Sequence, residues 1–268
     1  RLKGVKGVLE VKRECRHLID VQVVAFPQNG IFIAPGTEDL LKEAIELGAD
    51  VIGGLPELDP EPERHVDLVF EIAKEYDLDI DMHVDQVCAP APLVLPYLAE
   101  KTIREGYQGR VVADHCYALA FAPPEVTRRT IERVKEAGIS ICVKPLRMRL
   151  ERMREILEMG VNTAFFTDNI RDTWDPYGNG DMLQNALLFA QLTYDSSAVE
   201  GDLLRVFDMA TETAARIIGL DYGIRVGKRA DLLVLDATSP TDAIVAQAWR
   251  LYVVKDGEVV AENGVVYQ

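Results

Sequence analysis

The sequence predicts an α/β protein whose parallel sheet closes into a TIM-type (β/α)8 barrel, and two observations support this prediction. Short apolar segments rich in β-branched residues recur along the chain, the first five of them about 30 residues apart. Segments with helical periodicity separate them, an alternation typical of a parallel sheet with right-handed crossovers. The regular spacing, with no glycine-rich phosphate loop after any strand, favours a barrel over a doubly wound sheet.

Six strands and four intervening helices follow from these patterns. In the first helix, Thr37 can cap the start and Gly48 can end it, and an apolar stripe is formed by Leu40, Leu41, Ala44 and Ile45. The predicted strands are IDVQVVAFP from Ile19, ADVIGGLP from Ala49, DIDMHV from Asp79, RVVADH from Arg110, SICVKP from Ser140 and TAFFTDN from Thr163. The predicted helices are TEDLLKEAIELG, HVDLVFEIAKEY, PEVTRRTIERVKEAG and ERMREILEMG.

The pattern changes after Asp168. MLQNALLFAQLTY and DLLRVFDMATETAARIIG predict two further helices, and GIRVGKRADLLVLDA and RLYVVKDGEVVAENG predict short strands. Asp256-Gly257 is typical of a hairpin turn. We therefore divide the chain into a barrel, residues 1–220, and the carboxyl-terminal part of a small β subdomain, residues 221–268. We expect a segment N-terminal to Arg1 to supply partners for its strands.

Composition and charge exclude several classes of function. Of the 268 residues 48% are hydrophobic, which is enough for a sizeable core. Lys and Arg total 29 against 44 Asp and Glu, a net charge of -15. Such a surface repels phosphate backbones and anionic lipids, so the sequence predicts no nucleic-acid partner and no membrane partner.

The cysteines and the hydropathy indicate a reducing, aqueous compartment. The four cysteines lie far apart, without the spacing of a structural zinc site, and we interpret them as small buried thiols of a cytoplasmic protein. No stretch approaches the roughly 20 apolar residues of a membrane span. The cysteines are Cys15, Cys88, Cys116 and Cys142.

Polar side chains collect where the predicted strands end. Active sites of (β/α)8 barrels lie at the carboxyl ends of the strands, so these side chains are expected to converge on one mouth. They are Gln28 after the first strand, His83 and Asp85 after the third, His115 after the fourth, and Asp168 and Asn169 after the sixth. The other two histidines, His17 and His65, fall beside helical segments and are predicted to be solvated and without a role.

Two imidazoles and a carboxylate at strand ends suit a first-row divalent cation such as zinc or ferrous iron. Such a cation lowers the pKa of bound water towards neutrality, and Asp168 is placed to accept the proton. The sequence therefore predicts one divalent metal ion as cofactor, with His83, His115 and Asp168 as its candidate ligands.

The strand-end set resembles the amidohydrolase superfamily, and within it the cytosine deaminase-like branch. Five segments carry the resemblance: VAFPQNG (24–30), DMHVDQ (81–86), ADHCYALA (113–120), TDNIRDTWDPYGNGDML (167–183) and DYGIRVGKRADLLVLD (221–236). They occur in the family's order with similar spacing, so the resemblance covers nearly the whole chain. The first and fourth of these segments are the most specific to the branch.

The resemblance implies a role for each candidate residue. It implies His83 as a metal ligand, Asp168 as a metal ligand and general base, and His115 as the group that holds the attacking water or the developing transition state. Gln28 is implied to hydrogen-bond the polar edge of the substrate. Asn169 and Trp174 are implied to line the pocket, and for Trp174 a packing role in a long loop is an equal alternative.

The chain departs from the family at its first strands. The family's first barrel strand ends in HxH, which supplies two metal ligands, and residues 1–268 contain no HxH. The six predicted strands correspond to the third to eighth of the family's barrel. Because six strands cannot close such a barrel, we expect the sequence to be the later part of a longer protein.

A second departure concerns the residues expected to recognise the ring. Where this branch has a glutamate that protonates a ring nitrogen, the chain has Gln86, and where an acid commonly follows the last strand it has Asn169. An amide cannot exchange a proton, and losing such an acid costs about 10²–10⁴ in rate. Gln86 can instead donate and accept hydrogen bonds to a cyclic amide or urea edge, or it can mark an inactivated site.

Two hypotheses follow. The first is a metal-dependent amidohydrolase that uses activated water to hydrolyse a C–N bond of a small nitrogen heterocycle, by deamination or by removal of an amide or N-substituent. The second, favoured by Gln86 and the absent HxH, is a catalytically silent barrel that binds such a heterocycle. Both predict a small heterocyclic ligand, and barrels of this kind frequently form homo-oligomers.

Overall fold

The computed structural model describes residues 2–145, 147, 150–194 and 197–267. Six strands form one sheet in chain order, and the first four neighbouring pairs are parallel. This confirms the predicted α/β architecture with a parallel sheet, while its closure into a (β/α)8 barrel stays a prediction. The strands are β1 (Val24–Ala25), β2 (Val51–Gly54), β3 (Asp79–Val84), β4 (Val111–His115), β5 (Ser140–Val143) and β6 (Thr163–Phe165).

Helices occupy the segments with helical periodicity. In the described part of the chain they are α1 (Lys3–Glu14), α2 (Thr37–Glu46), α3 (Pro62–Tyr76), α4 (Leu95–Glu105), α5 (Pro124–Glu136), α6 (Leu150–Glu158), α7 (Met182–Tyr194), α8 (Glu200–Met209), α9 (Glu212–Ile217) and α10 (Pro240–Val245). Three of these described helices, α1, α4 and α10, have no counterpart in the prediction.

Prolines near the helix starts explain two of these omissions. In α4 a proline lies in the first turn, where its missing N–H is not needed, although within the CAPAPLVLP stretch it indicates a loop. In α10 Pro240 follows Ser239, whose hydroxyl accepts a hydrogen bond from the backbone N–H of Asp242, 3.1 Å away. The Ser-Pro start is a helix-capping signal that the prediction missed.

The first predicted strand is much shorter than expected. The strand β1 comprises only Val24–Ala25, although the carbonyl of Val23 still accepts from the N–H groups of Asp50 and Val51, and Ile19 is 56% exposed. Pro27 cannot donate to a sheet ladder, so pairing ends before it. Gln28 therefore lies in a turn, where its N–H donates to the carbonyl of Phe26 (3.2 Å).

The chain divides into two compact units. The first unit comprises Arg1–Cys142 and Glu155–Asn162, and the second comprises Val143–Arg154 and Thr163–Gln268. The division into domains at residue 220 stays a prediction.

The core of the first unit lies between its strands and helices. In α3 the buried residues Val66, Val69, Phe70 and Ala73 follow the helical spacing of one apolar face. All four residues of β2 are buried. A Cβ atom on Gly53 would lie 1.8 Å from the carbonyl oxygen of Asp81 in β3, so only glycine permits this approach of the two strands.

The second unit contains a sheet of four described strands, β7 (Leu232–Leu235), β8 (Arg250–Lys255), β9 (Glu258–Glu262) and β10 (Val265–Val266). They form an antiparallel sheet in the order β10-β9-β8-β7, so they find partners in one another. Asp256 and Gly257 both have positive φ (50° and 87°), which confirms the predicted hairpin turn between β8 and β9. The short strand predicted within GIRVGKRADLLVLDA is present as β7, at the carboxyl end of that segment.

The cysteines are free thiols, but only one fits the prediction that they are buried. Cys116 is buried, Cys15 and Cys142 are half-buried, and Cys88 is exposed. Cys88 follows the end of β3 in an open loop, which explains the error. Within the described residues, no helix combines the length and apolar character needed to cross a bilayer.

Candidate active site

His83 and His115 lie side by side at the ends of neighbouring parallel strands. The register pairs Val84 of β3 with His115 of β4, so both histidines lie at the same end of the two strands. Nε2 of His115 is 3.2 Å from Nδ1 of His83, and the ring planes are nearly perpendicular (87°). The structure thus brings together the two histidines that the strand-end pattern selected.

Aromatic and acidic groups of the first unit surround this pair. Nδ1 of His115 is 3.0 Å from the hydroxyl of Tyr117, and the ring of Phe26 lies 4.7 Å from that of His83 between centroids. Nε2 of His83 is 3.8 Å from a carboxylate oxygen of Asp114, its partner in the register. His115 is buried and His83 is half-buried, so the surroundings fix their orientation while leaving one of them accessible.

Several strand-end residues adopt left-handed backbone conformations that non-glycine residues rarely occupy. The φ angles are 53° at Asp85, 74° at His115 and 59° at Asp168. Each such conformation costs on the order of 1–3 kcal/mol and typically occurs at functional sites. The strain therefore coincides with the candidate residues.

Asp85 has a structural role. Its buried carboxylate accepts hydrogen bonds from the backbone N–H groups of Val94 (2.7 Å) and Leu95 (3.2 Å) at the start of α4. Burial raises the pKa of Asp85 to about 6 in spite of these bonds. Asp85 thus holds the β3–α4 loop in place beside His83.

Gln86 is tied to an acid that the sequence analysis missed. Its backbone N–H donates to Oε1 of Glu57, 3.2 Å away, in the short helix that follows β2. Oε2 of Glu57 is buried and has no hydrogen-bond partner among the described residues. Burial raises the pKa of Glu57 to about 7, and the charge of Asp85 adds to the shift. Glu57 lies just after Gly54, the last residue of β2, and this position near a strand end is the signal that the sequence offers for it.

The raised pKa of Glu57 makes stability depend on pH. The folded protein retains this proton up to about pH 7 while the unfolded chain releases it above pH 4.5, so the contribution of Glu57 to stability falls as pH rises from about 4.5 to about 7 and is constant above that. We expect Glu57→Gln to gain about 2–3 kcal/mol relative to the parent between pH 4.5 and pH 8. Urea unfolding at both pH values measures this difference. Glu61→Gln, at an exposed acid, is the control, and an equal change for both variants would contradict the assignment.

The prediction that His65 is solvated is wrong. His65 is fully buried in α3, and its Nδ1 lies 2.6 Å from Oδ2 of Asp59. Burial lowers the pKa of His65, so the neutral ring donates to the carboxylate. Asp59 also accepts from the N–H groups of Ile31 (2.7 Å) and Phe32 (2.9 Å), which fixes the loop that follows Gln28. Gln28 itself is exposed.

Asp168 of the second unit lies beside a lysine, Lys144, that the sequence analysis also missed. Nζ of Lys144, directly after β5, is 3.8 Å from Oδ2 of Asp168. The side-chain amide of Asn169 donates to Asp172. Trp174 is 72% exposed in the loop that follows. The roles of Asp168, Asn169 and Trp174 stay predictions.

The histidine pair fits a first-row divalent cation. Nδ1 of His83 and Nε2 of His115 face each other at 3.2 Å, and imidazole nitrogens are preferred ligands of such cations. Among the residues that the structure describes, no three His, Cys, Asp or Glu side chains form a complete metal site. Further ligands, including Asp168, therefore stay predictions.

Comparison with known proteins gives the family. The sequence model of the Amidohydrolase family matches residues 3–261. The chain belongs to the amidohydrolase family. It is 39% identical over 272 residues to the N-isopropylammelide isopropyl amidohydrolase of Pseudomonas sp. (strain ADP), an alignment that covers 99% of the chain and 67% of that protein.

The crystal structures of two enzymes are similar to the structure of this amidohydrolase chain. N-isopropylammelide isopropylaminohydrolase from Burkholderia multivorans matches with a TM-score of 0.91 and 31% identity over 99% of the chain. 5-Methylcytosine deaminase from Klebsiella pneumoniae, bound to 5-fluorocytosine, matches with a TM-score of 0.90 and 30% identity over 100%. The chain spans 69% of each of these proteins. The predicted resemblance to cytosine deaminase-like amidohydrolases is confirmed.

Proposed function

We propose that the protein is a metal-dependent hydrolase that cleaves an exocyclic C–N bond of a small nitrogen heterocycle, with its sheet closed as a TIM-type barrel. The observation that carries this proposal is the pair of imidazoles 3.2 Å apart at the ends of adjacent strands. Membership of the amidohydrolase family supports it, because the pair falls in the segments that carry the family resemblance.

His83 and Asp168 would hold one divalent cation, zinc or iron. A cation bound there supplies a Lewis acid that lowers the pKa of a coordinated water towards neutrality. Asp168 accepts a proton from the attacking water and passes it to the leaving nitrogen. His115, oriented by Tyr117, stabilises the attacking oxygen and the charge that develops on it.

Amide side chains would recognise the ring. Gln28 and Gln86 each offer one acceptor and two donor hydrogens, which complement the alternating carbonyl and N–H groups of a cyclic amide or urea. Asn169 and Trp174 would contact the substituent. Neither Gln86 nor Asn169 can protonate a ring nitrogen, so a ring that already carries oxo groups is the better substrate.

An N-substituted amino group is the proposed leaving group. Two of the similar enzymes are named for removing an isopropyl-bearing amine from N-isopropylammelide, and the third for deaminating 5-methylcytosine. We place the present protein with the first two, because the acid expected of a cytosine deaminase is replaced by Gln86. Its substrates would then be N-alkylamino derivatives of oxo-triazines or oxo-pyrimidines.

Metal analysis and a substrate panel test the proposal. The intact protein is expected to contain about one zinc or iron per chain and to release alkylamine from N-alkylamino oxo-triazines faster than ammonia from aminopyrimidines or pterins. A protein with only trace metal and no amine release would refute it. Heterocycle binding without any turnover would instead support the catalytically silent barrel, the alternative favoured by Gln86.

A further inference from the structure

Lys144 is an unusually buried lysine at the end of a sheet strand. It follows β5 (Ser140–Val143) directly and its side chain is only 11% exposed, although lysines are rarely withdrawn from water unless they are paired. Its ammonium group lies between two carboxylates, Asp168 at 3.8 Å and Asp175 in closer contact. No role follows for Lys144 from the metal site or from the proposed chemistry.

The second of these carboxylates organises the loop of residues 169–181. Asp175 accepts a hydrogen bond from the N–H of Tyr177 (3.0 Å) in addition to its contact with Lys144. Asp172 accepts from the N–H groups of Trp174 and Asp175, both at 2.9 Å, and from the amide of Asn169. The loop is therefore internally hydrogen-bonded, and Asp175 joins it to the end of β5.

The exposed side of this loop carries aromatic surface. Trp174 is 72% and Tyr177 78% exposed, so the loop presents two large aromatic side chains on its surface. The backbone of the loop is thus fixed by Asp172 and Asp175 while its aromatic side chains stay open. The backbone N–H groups of Trp174 and Tyr177 donate to Asp172 and Asp175 respectively, so the two aromatic residues are attached to the acids that hold the loop.

A lysine is suited to link two carboxylates. Its ammonium group has three donors on a flexible stem, so it can contact Asp168 and Asp175 together. Removing it would leave two partly buried carboxylates without their shared cation, and the two would repel each other. Asp168 and the loop of residues 169–181 therefore share one cationic partner, Lys144.

We propose that Lys144 is a positioning residue that couples the loop of residues 169–181 to Asp168, so that a substrate whose substituent contacts the loop also fixes the carboxylate. This inference rests on the proposed function, in which Asp168 is the general base. In this proposal the loop recognises the substituent of the substrate, and the Lys144 ammonium group couples the position of the loop to that of the Asp168 carboxylate.

A double-mutant cycle tests the coupling in the intact, metal-loaded protein. We expect Lys144→Met to lower kcat/KM about 10- to 100-fold, and Asp175→Asn to raise KM about 5-fold with a smaller change in kcat. The double variant should be no worse than Lys144→Met, because both changes break one link. Lys144→Arg should recover part of kcat. Lys135→Met, which removes an exposed lysine of α5, is the control for charge.

Limited proteolysis provides a readout that does not need activity. Trypsin can cut after Arg171, which is exposed in the loop, and we expect Asp175→Asn and Lys144→Met to be cut there several times faster than the parent. If Lys144→Met did not fold, the faster cleavage of Asp175→Asn would still be required. Losses that multiply in the double variant, or unchanged cleavage, would overturn the inference. A parent protein without activity but with the expected cleavage pattern would refute the proposed function alone.

Discussion

Replacing His83 by asparagine is expected to remove the bound cation and all measurable turnover, whereas His115→Asn is expected to keep the cation and lose about 10²–10⁴ in kcat. The two residues differ in their surroundings, although Nε2 of His115 lies only 3.2 Å from Nδ1 of His83. Nδ1 of His115 is engaged by the hydroxyl of Tyr117, and the residue is buried. His83 is more accessible and has Asp114 near its second nitrogen, an arrangement typical of a metal-ligating histidine.

Metal content and kcat measured on the same samples separate the two roles. The exposed His17 supplies the control, because His17→Asn removes an imidazole without touching the strand ends. Equal loss of metal in both site variants would make His115 a ligand as well, as the strand-end set of the sequence implies. Full metal content and full activity in His83→Asn would exclude the histidine pair as the catalytic centre.

The strand-end rule identified this pair because parallel strands with regular crossovers leave little freedom. Once β3 and β4 are adjacent and parallel, their carboxyl ends meet at one edge of the sheet, with Val84 opposite His115. The alternation in DMHV and VVADH alone would place His83 and His115 on opposite faces, because opposed residues share a face and successive residues alternate. His115 ends β4 with a φ of 74°, and its Nε2 lies 3.2 Å from Nδ1 of His83. The sequence therefore predicts that the two histidines share a strand end, whereas the contact between their rings depends on a backbone conformation that no periodic pattern predicts.

The sequence-based prediction missed other buried residues because it gave more weight to residue type than to position in the chain. Lys144 directly follows β5 and obeys the same strand-end rule as His115, but a lysine is not a metal ligand. His65 shares a helical face with Val69 and Ile72, spacings of four and seven, so α3 itself indicates a buried histidine. The partners that explain these residues, Asp175 and Asp59, come from loops, and no periodic pattern predicts where a loop folds back.

The departure at Gln86 leads to the second large effect. We expect Gln86→Glu to raise the deamination of unsubstituted aminopyrimidines by about 10²-fold, since a carboxyl group can protonate a ring nitrogen and an amide cannot. The backbone at this position is fixed by Glu57 through the N–H of Gln86 and by Asp85 through the start of α4. The new side chain would therefore start from the same place as the amide, and the two are nearly the same shape.

Neighbouring acids should set the pH dependence of this gain. Glu57, whose pKa is raised to about 7, and Asp85, whose pKa is raised to about 6, already lie next to position 86. Like charges disfavour ionisation, so the introduced carboxyl should keep its proton to higher pH than an exposed glutamate does. Ammonia release by the variant is then expected to be greatest below about pH 7 and to fall as all three acids ionise. Gln108→Glu, at an exposed turn, adds the same charge away from the strand ends. If it raised deamination equally, or if Gln86→Glu kept its metal and fold without any gain, position 86 would not face the ring.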